Sequence, residues 1–164
     1  MIQNKILITI TIILILYIVG WSIYHQIKEH YNQNDSKLQD LKHIFTEFFK
    51  KEKYWNGYLA RLNNRNIMKE ISLFRGNTSY TINKERVHIC LKDENGEYYS
   101  DNMLIYVLAH ELAHVICEEI GHTELFNNIF KELLIELEKE GIYNPNLPVN
   151  LEYCKNGDKE IDPG

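Results

Sequence analysis

The run from Ile6 to Tyr24 carries no charge, and only Thr9, Thr11, Gly20 and Ser22 interrupt its Ile/Leu-rich pattern. As a helix it measures about 28 Å, close to the hydrocarbon thickness of a bilayer. Tyr17, Trp21 and Tyr24 gather toward one end, as aromatic side chains do at a membrane interface. The pattern predicts an uncleaved transmembrane anchor over residues 1–24. A signal peptide would have a shorter apolar region followed by a small-residue site, and only Val19-Gly20 resembles one. Lys5 before the run and Lys28, Lys37 and Lys42 after it leave the orientation undecided.

Residues 25–36 are polar and read as a juxtamembrane stalk, leaving residues 37–164 for one modest domain. Ser36 is a candidate cap for a helix reaching about Lys53, with Leu38, Leu41, Ile44, Phe45, Phe48 and Phe49 on its apolar face. A short helix is expected over Gly57–Leu62. Tyr80–Ile82 and Arg86–Leu91 read as two strands around Asn83-Lys84, and the Asp93-Glu94-Asn95-Gly96 turn leads onward. Leu104, Val107, Leu108, Leu112, Val115 and Ile116 give helical periodicity from Asn102 to Ile120, with Ser100 or Asp101 as cap and Gly121 as terminator. A further amphipathic helix is expected from Glu124 to Glu140, ended by Gly141. The tail from Asn144 is expected to wrap the surface.

Charge is uneven. Residues 37–92 carry 12 Lys/Arg against 5 Asp/Glu, and residues 93–164 carry 4 against 16, within a total of −5. The two halves are expected to attract each other; the sharper alternative makes Lys50, Lys51 and Lys53 a patch for anionic lipid. Cys90 in a strand and Cys117 in a helix are expected as buried thiols, with Cys154 in the tail. Three cysteines without dense spacing give no disulfide framework, and reduced thiols favour a cytosol-facing domain. Asn34-Asp35-Ser36 and Asn77-Thr78-Ser79 are acceptor strings for glycosylation if the domain is luminal.

The chemistry concentrates at His110-Glu111-Leu112-Ala113-His114. On a helix His110 and His114 project from one face, one turn apart, where two imidazoles can grip Zn²⁺ with Glu111 beside them. Cys117 shares that face but lies about 10 Å along the axis from His110, too far for bonds of about 2.0–2.3 Å. The chain must turn back for a third ligand, and Gly121 permits the turn. His122 follows it at once; Glu132 and Glu136 on the next helix are the alternatives, in which case His122 only caps a helix end. Three ligands leave a position for water, whose proton Glu111 would take as general base in peptide-bond hydrolysis.

The stretch from about Thr78 to Tyr153 resembles the WLM/SprT-like zinc metallopeptidases, especially small WLM-like proteins of large DNA viruses. The resemblance rests on Thr78-Ser79-Tyr80-Thr81-Ile82-Asn83-Lys84, Val87-His88-Ile89-Cys90-Leu91 and Tyr106-Val107-Leu108-Ala109 leading into the histidine motif. It continues through Ile120-Gly121-His122-Thr123-Glu124-Leu125-Phe126, Gly141-Ile142-Tyr143 and Tyr153-Cys154. It implies a small zincin-like domain with a short sheet and an active-site helix, which with the predicted transmembrane helix gives an α+β fold. It also implies His110, His114 and His122 as zinc ligands and Glu111 as catalytic base. The chain departs from the family at Asn127, where members often have Trp, and it has no methionine after Met103, so the Met-turn of metzincins is absent.

The partners expected are a protein or peptide substrate and, through the first helix, a membrane. The family's link with DNA–protein crosslinks is not carried over, because an acidic, tethered domain is poorly suited to nucleic acid. Val87–Leu91 is the candidate edge strand for substrate. His88 within it is read as a solvated strand residue, with a place in the cleft as the alternative. Tyr143 and Tyr153 are read as packing residues, with an oxyanion donor as the alternative. His25, His30 and His43 are expected on the surface or stalk. A non-catalytic membrane protein with a structural zinc site and a crosslink protease are the competing functions.

Overall fold

The computed structural model describes residues 2–51, 54–149 and 153–154. Its first element is one unbroken helix, α1 (Ile2–Gln33). The side chains from Ile6 to Tyr24 are all exposed, so none of this apolar surface is spent on the core. Among the described residues α1 is the one helix long and apolar enough to cross a membrane. The polar residues after Tyr24 continue the helix, and its far end packs on the domain. Glu29 pairs with Arg86 at 3.0 Å, and the Arg75 guanidinium lies over the Tyr31 ring at 5.8 Å.

Helix α2 (Ser36–Lys50) begins two residues later. Its cap is Asp35, not Ser36: the Asp35 carboxylate accepts from the Lys37 N–H at 3.0 Å and from the Tyr98 hydroxyl at 3.1 Å, and Arg75 stands 3.6 Å away. A carboxylate held by donors from three elements outcompetes a hydroxyl for the capping position. Leu38, Leu41, Phe45 and Phe48 are buried as the periodicity requires. Phe48 meets Trp55 with ring centroids 5.6 Å apart. The short helix forms as a 3₁₀ turn over Gly57–Leu62, and a four-residue α3 (Ile67–Glu70) follows.

The sheet has three strands, one more than the sequence pattern suggests. These are β1 (Ser72–Gly76), β2 (Tyr80–Ile82) and β3 (Arg86–Cys90), in spatial order β1-β3-β2. β3 is parallel to β1 and antiparallel to β2. β3 is therefore central, which corrects the reading of Val87–Leu91 as an edge: the unread β1 occupies one side of it. Asn83 and Lys84 both take positive φ, 51° and 58°, as a two-residue hairpin turn requires. Leu73, Val87 and Ile89 join the core beneath the sheet. On the other face the register partners Phe74, His88 and Tyr80 stack across all three strands, with His88 centroids 5.0 Å and 4.5 Å from its neighbours. His88 is thus a half-buried stacking residue, and its pKa is lowered by burial and then by Arg86, against a smaller opposite effect of Glu29.

Helices α4 (Asp101–Ile116) and α5 (Glu124–Lys139) complete the domain. Ser100 caps α4 by accepting from Met103 N–H at 3.3 Å. α4 is buried around most of its circumference, with Leu104, Leu108 and Leu112 fully covered. It ends at Ile116, a turn earlier than the sequence suggests. Its terminal carbonyls are taken by distant side chains: Arg61 donates to Ile116 O at 3.3 Å, and Lys84 donates to Cys117 O and to Glu118 O. Gly121, at φ 84°, turns the loop that follows instead of ending the helix. Thr123 caps α5 by accepting from Phe126 N–H at 3.3 Å.

The oppositely charged halves meet at Lys37–Asp101, Lys51–Glu140 and Arg61–Glu118. Lys50 also has an acidic partner, Glu47, and Lys53 lies outside the described residues. The tail beyond α5 docks through Asn144, which exchanges two hydrogen bonds with the Asn102 side chain. Cys90 and Cys154 form a disulfide, correcting the expectation of reduced thiols; Cys117 stays free and buried. Residues 64 apart in sequence meet here because β3 ends where the tail returns, a proximity that spacing cannot reveal.

Candidate metal centre

α4 presents His110 and His114 one turn apart, with ring centroids separated by 5.0 Å. The loop turned by Gly121 brings His122 back over them. His122 Nε2 lies 3.0 Å from His110 Nε2, and its ring centroid is 4.9 Å from that of His114. One nitrogen from each ring falls within 4.8 Å of the others, so the three histidines lie close enough to hold a metal ion. Nitrogens about 2.1 Å from a tetrahedral ion stand about 3.4 Å apart, so the cluster needs little adjustment to accept one. Phe126 forms an apolar wall behind it, its ring centroid 4.2 Å from that of His114, 5.0 Å from His110 and 4.9 Å from His122. Burial, followed by His114 and His122, pushes His110 down to about 4. Neutral imidazole, the form that ligates, is therefore the resting state at pH 7.

Glu111, next to His110 on α4, reaches toward the sheet beside the histidine face and is 5% exposed. Its carboxylate accepts a hydrogen bond of 2.8 Å from the Thr81 hydroxyl, which also contacts its backbone carbonyl at 3.3 Å. Thr81 sits in the middle of β2, and no strand lies on the outer side of β2 among the described residues. The free sheet edge beside the motif is therefore β2. Thr81 and Lys84 escaped the sequence reading. Both fall in the segment that carried the family resemblance, but nothing in their local pattern distinguishes a surface threonine or a turn lysine from these roles.

The remaining candidates go elsewhere. The Glu132 carboxylate accepts from the backbone N–H groups of Tyr58, at 2.7 Å, and Leu59, at 3.3 Å. It anchors the 3₁₀ helix and does not join the histidines. Glu136 pairs with Lys139 at 2.6 Å. The Tyr153 hydroxyl donates to Cys90 O at 2.6 Å and contacts Ser79 Oγ at 2.6 Å, while Ser79 Oγ accepts from Cys90 N–H. Its proton is committed, and burial raises its pKa well above the ordinary tyrosine value. Tyr143 is buried beside Tyr106 at the end of α5 and its pKa is raised, chiefly by burial. Both tyrosines act as packing residues.

Three viral proteins are similar to this chain. Over 119 residues it is 44% identical to uncharacterized protein 136R of Invertebrate iridescent virus 6, covering 71% of this chain and 67% of that protein. Uncharacterized protein 042R of Invertebrate iridescent virus 3 is 40% identical over 99 residues, 60% of this chain and 62% of its own length. Uncharacterized protein R325 of Acanthamoeba polyphaga mimivirus is 31% identical over 136 residues, 79% of this chain and 62% of its own length. The chain belongs to the same protein family as 136R of Invertebrate iridescent virus 6. No family model matches the chain, and no solved structure does.

Proposed function

We propose that this protein is a membrane-anchored zinc metallopeptidase of the WLM/SprT-like kind, with α1 as its single membrane span. The observation that carries the reading is the convergence of His110, His114 and His122 with a buried Glu111 on the adjoining helix position. Three imidazole nitrogen donors match the ligand number and type of catalytic zinc sites. Bound there, Zn²⁺ would supply Lewis-acid polarisation of a substrate carbonyl and lower the pKa of a water molecule. Glu111 takes the proton of the attacking water and passes it to the leaving amine. Thr81 fixes the carboxylate for both transfers. The exposed edge of β2 offers backbone groups to an extended peptide, which places its scissile bond beside Glu111.

The test is metal content by elemental mass spectrometry together with casein hydrolysis, on the wild type and two variants. About one zinc per chain is expected in the wild type, with a marked loss in His122→Ala. Glu111→Gln should keep the metal and lose turnover by at least about 10²-fold. A Glu111→Gln protein that still hydrolyses casein at the wild-type rate would overturn the catalytic role of that residue. Zinc retained in every variant without hydrolysis by any would point to a structural metal site instead.

A further inference from the structure

The anchor and the site are joined more closely than a stalk would allow. α1 runs without a break from the apolar stretch to Gln33, and only Asn34 and Asp35 separate it from α2. Its polar end is fastened to the sheet by the Glu29–Arg86 ion pair and by Arg75 on Tyr31. Glu29 stands about 7.5 Å along the helix axis from Tyr24, the last residue of the apolar run. Arg86 is the register partner of Ile82, one strand spacing of about 4.8 Å away. Ile82 adjoins Thr81, which holds Glu111. Adding the reach of the side chains places Glu111 on the order of 20 Å from the end of the apolar run. The contacts at Glu29 and Tyr31 precede the break at Asn34-Asp35, so they hold the domain against the helix on the membrane side of that break.

An extended chain leaving a bilayer gains about 3.3 Å per residue and covers that height in about six residues. We infer that the substrates are other membrane-anchored polypeptides, cut in the extended segment next to their own span, about six to twelve residues from it. The inference rests on the peptidase and anchor readings above and adds the substrate class. Bilayer-distal domains of anchored proteins are poor substrates, because the site cannot be raised to meet them.

The test uses the full-length chain in phosphatidylcholine vesicles with a single-span reporter. The arm of the reporter carries tandem copies of one short unfolded casein segment, so the copies differ only in distance from the bilayer. Cleavage positions are mapped by mass spectrometry, with soluble casein present as an independent measure of peptidase activity. Copies nearest the bilayer should be cut at least about ten-fold faster than the outermost. A variant with a flexible Gly/Ser insertion between His25 and Gln26 should lose this gradient while keeping the docking contacts of Glu29. Equal cutting of all copies by the wild type, or a gradient that survives the insertion, overturns the inference and leaves the peptidase reading intact. Casein cut while the reporter is spared does the same. Cleavage of neither removes both.

Discussion

The four residues of the site that the sequence discloses are those whose geometry is local. His110 and His114 are fixed by helical spacing, Glu111 by adjacency, and His122 by the need for a turn after the helix. Thr81 is different, since its partner lies 30 residues away and only the packing of β2 on α4 brings them together. Replacing Thr81 by Val removes a donor to a buried carboxylate, and we expect a stability loss of about 1–3 kcal/mol in urea titrations. On the peptidase reading, turnover should fall by about one order of magnitude with zinc content unchanged, and Thr81→Ser should restore both. His88 supplies a second prediction. Its pKa in the folded chain lies below the unfolded value of about 6.5, so the folded state binds fewer protons between the two. The stability contributed by neutral His88 is therefore present above about pH 6.5 and is lost as pH falls through that window. His88→Phe, which keeps the ring stack, should flatten the acid slope of the denaturation midpoint in detergent. Some slope will remain, because His110 titrates in the same direction in the metal-free chain.

Element by element, the helices were legible and the sheet only partly so. α2 and α5 announce themselves through amphipathic periodicity, and the β2–β3 hairpin through its turn. β1 does not, because Leu73-Phe74 is too short an apolar run to read alone and its partner is the far strand of the following hairpin, paired in parallel. The end of α4 was misplaced for a related reason: what stops it are Arg61 and Lys84, both remote in sequence. Lys84 thus fixes the start of the loop that carries His122, while its own backbone occupies the left-handed region that a side chain seldom adopts. On the zinc reading, Lys84→Met should free the Cys117 and Glu118 carbonyls and weaken zinc retention by about 10-fold or more in chelator competition. Gly57, at the start of the 3₁₀ helix, makes a similar long-range contact. Its φ is 57°, and a Cβ there would approach Glu132 Oε1 to 2.5 Å. Gly57→Ala should therefore destabilise the chain by more than the about 1 kcal/mol ordinary for a left-handed glycine, read as a lowered urea midpoint.

At the scale of the whole molecule, the cysteines taught the most. Counting them suggested isolated thiols, whereas the fold brings the end of β3 and the returning tail together as a disulfide. In the chain-entropy model a bridge between residues 64 apart contributes about 4 kcal/mol. Cys154→Ser should accordingly lower the denaturation midpoint under non-reducing conditions and leave it unchanged under reducing ones. The bridge also shifts the expected setting of the domain from a reducing to an oxidising environment, contrary to the reading from free thiols. All three histidines and Glu111 lie between the two bridged cysteines, inside one covalent ring of chain. On the proposed reading the protein is exposed to its own activity, and the loop from Glu118 to His122 is a surface segment within that ring. A single nick there would leave both fragments tied together through Cys90 and Cys154, with the ligands still carried on one connected molecule. Damage that would dismantle an unbridged site becomes, in this chain, a clipped but assembled one, visible as two bands only after reduction.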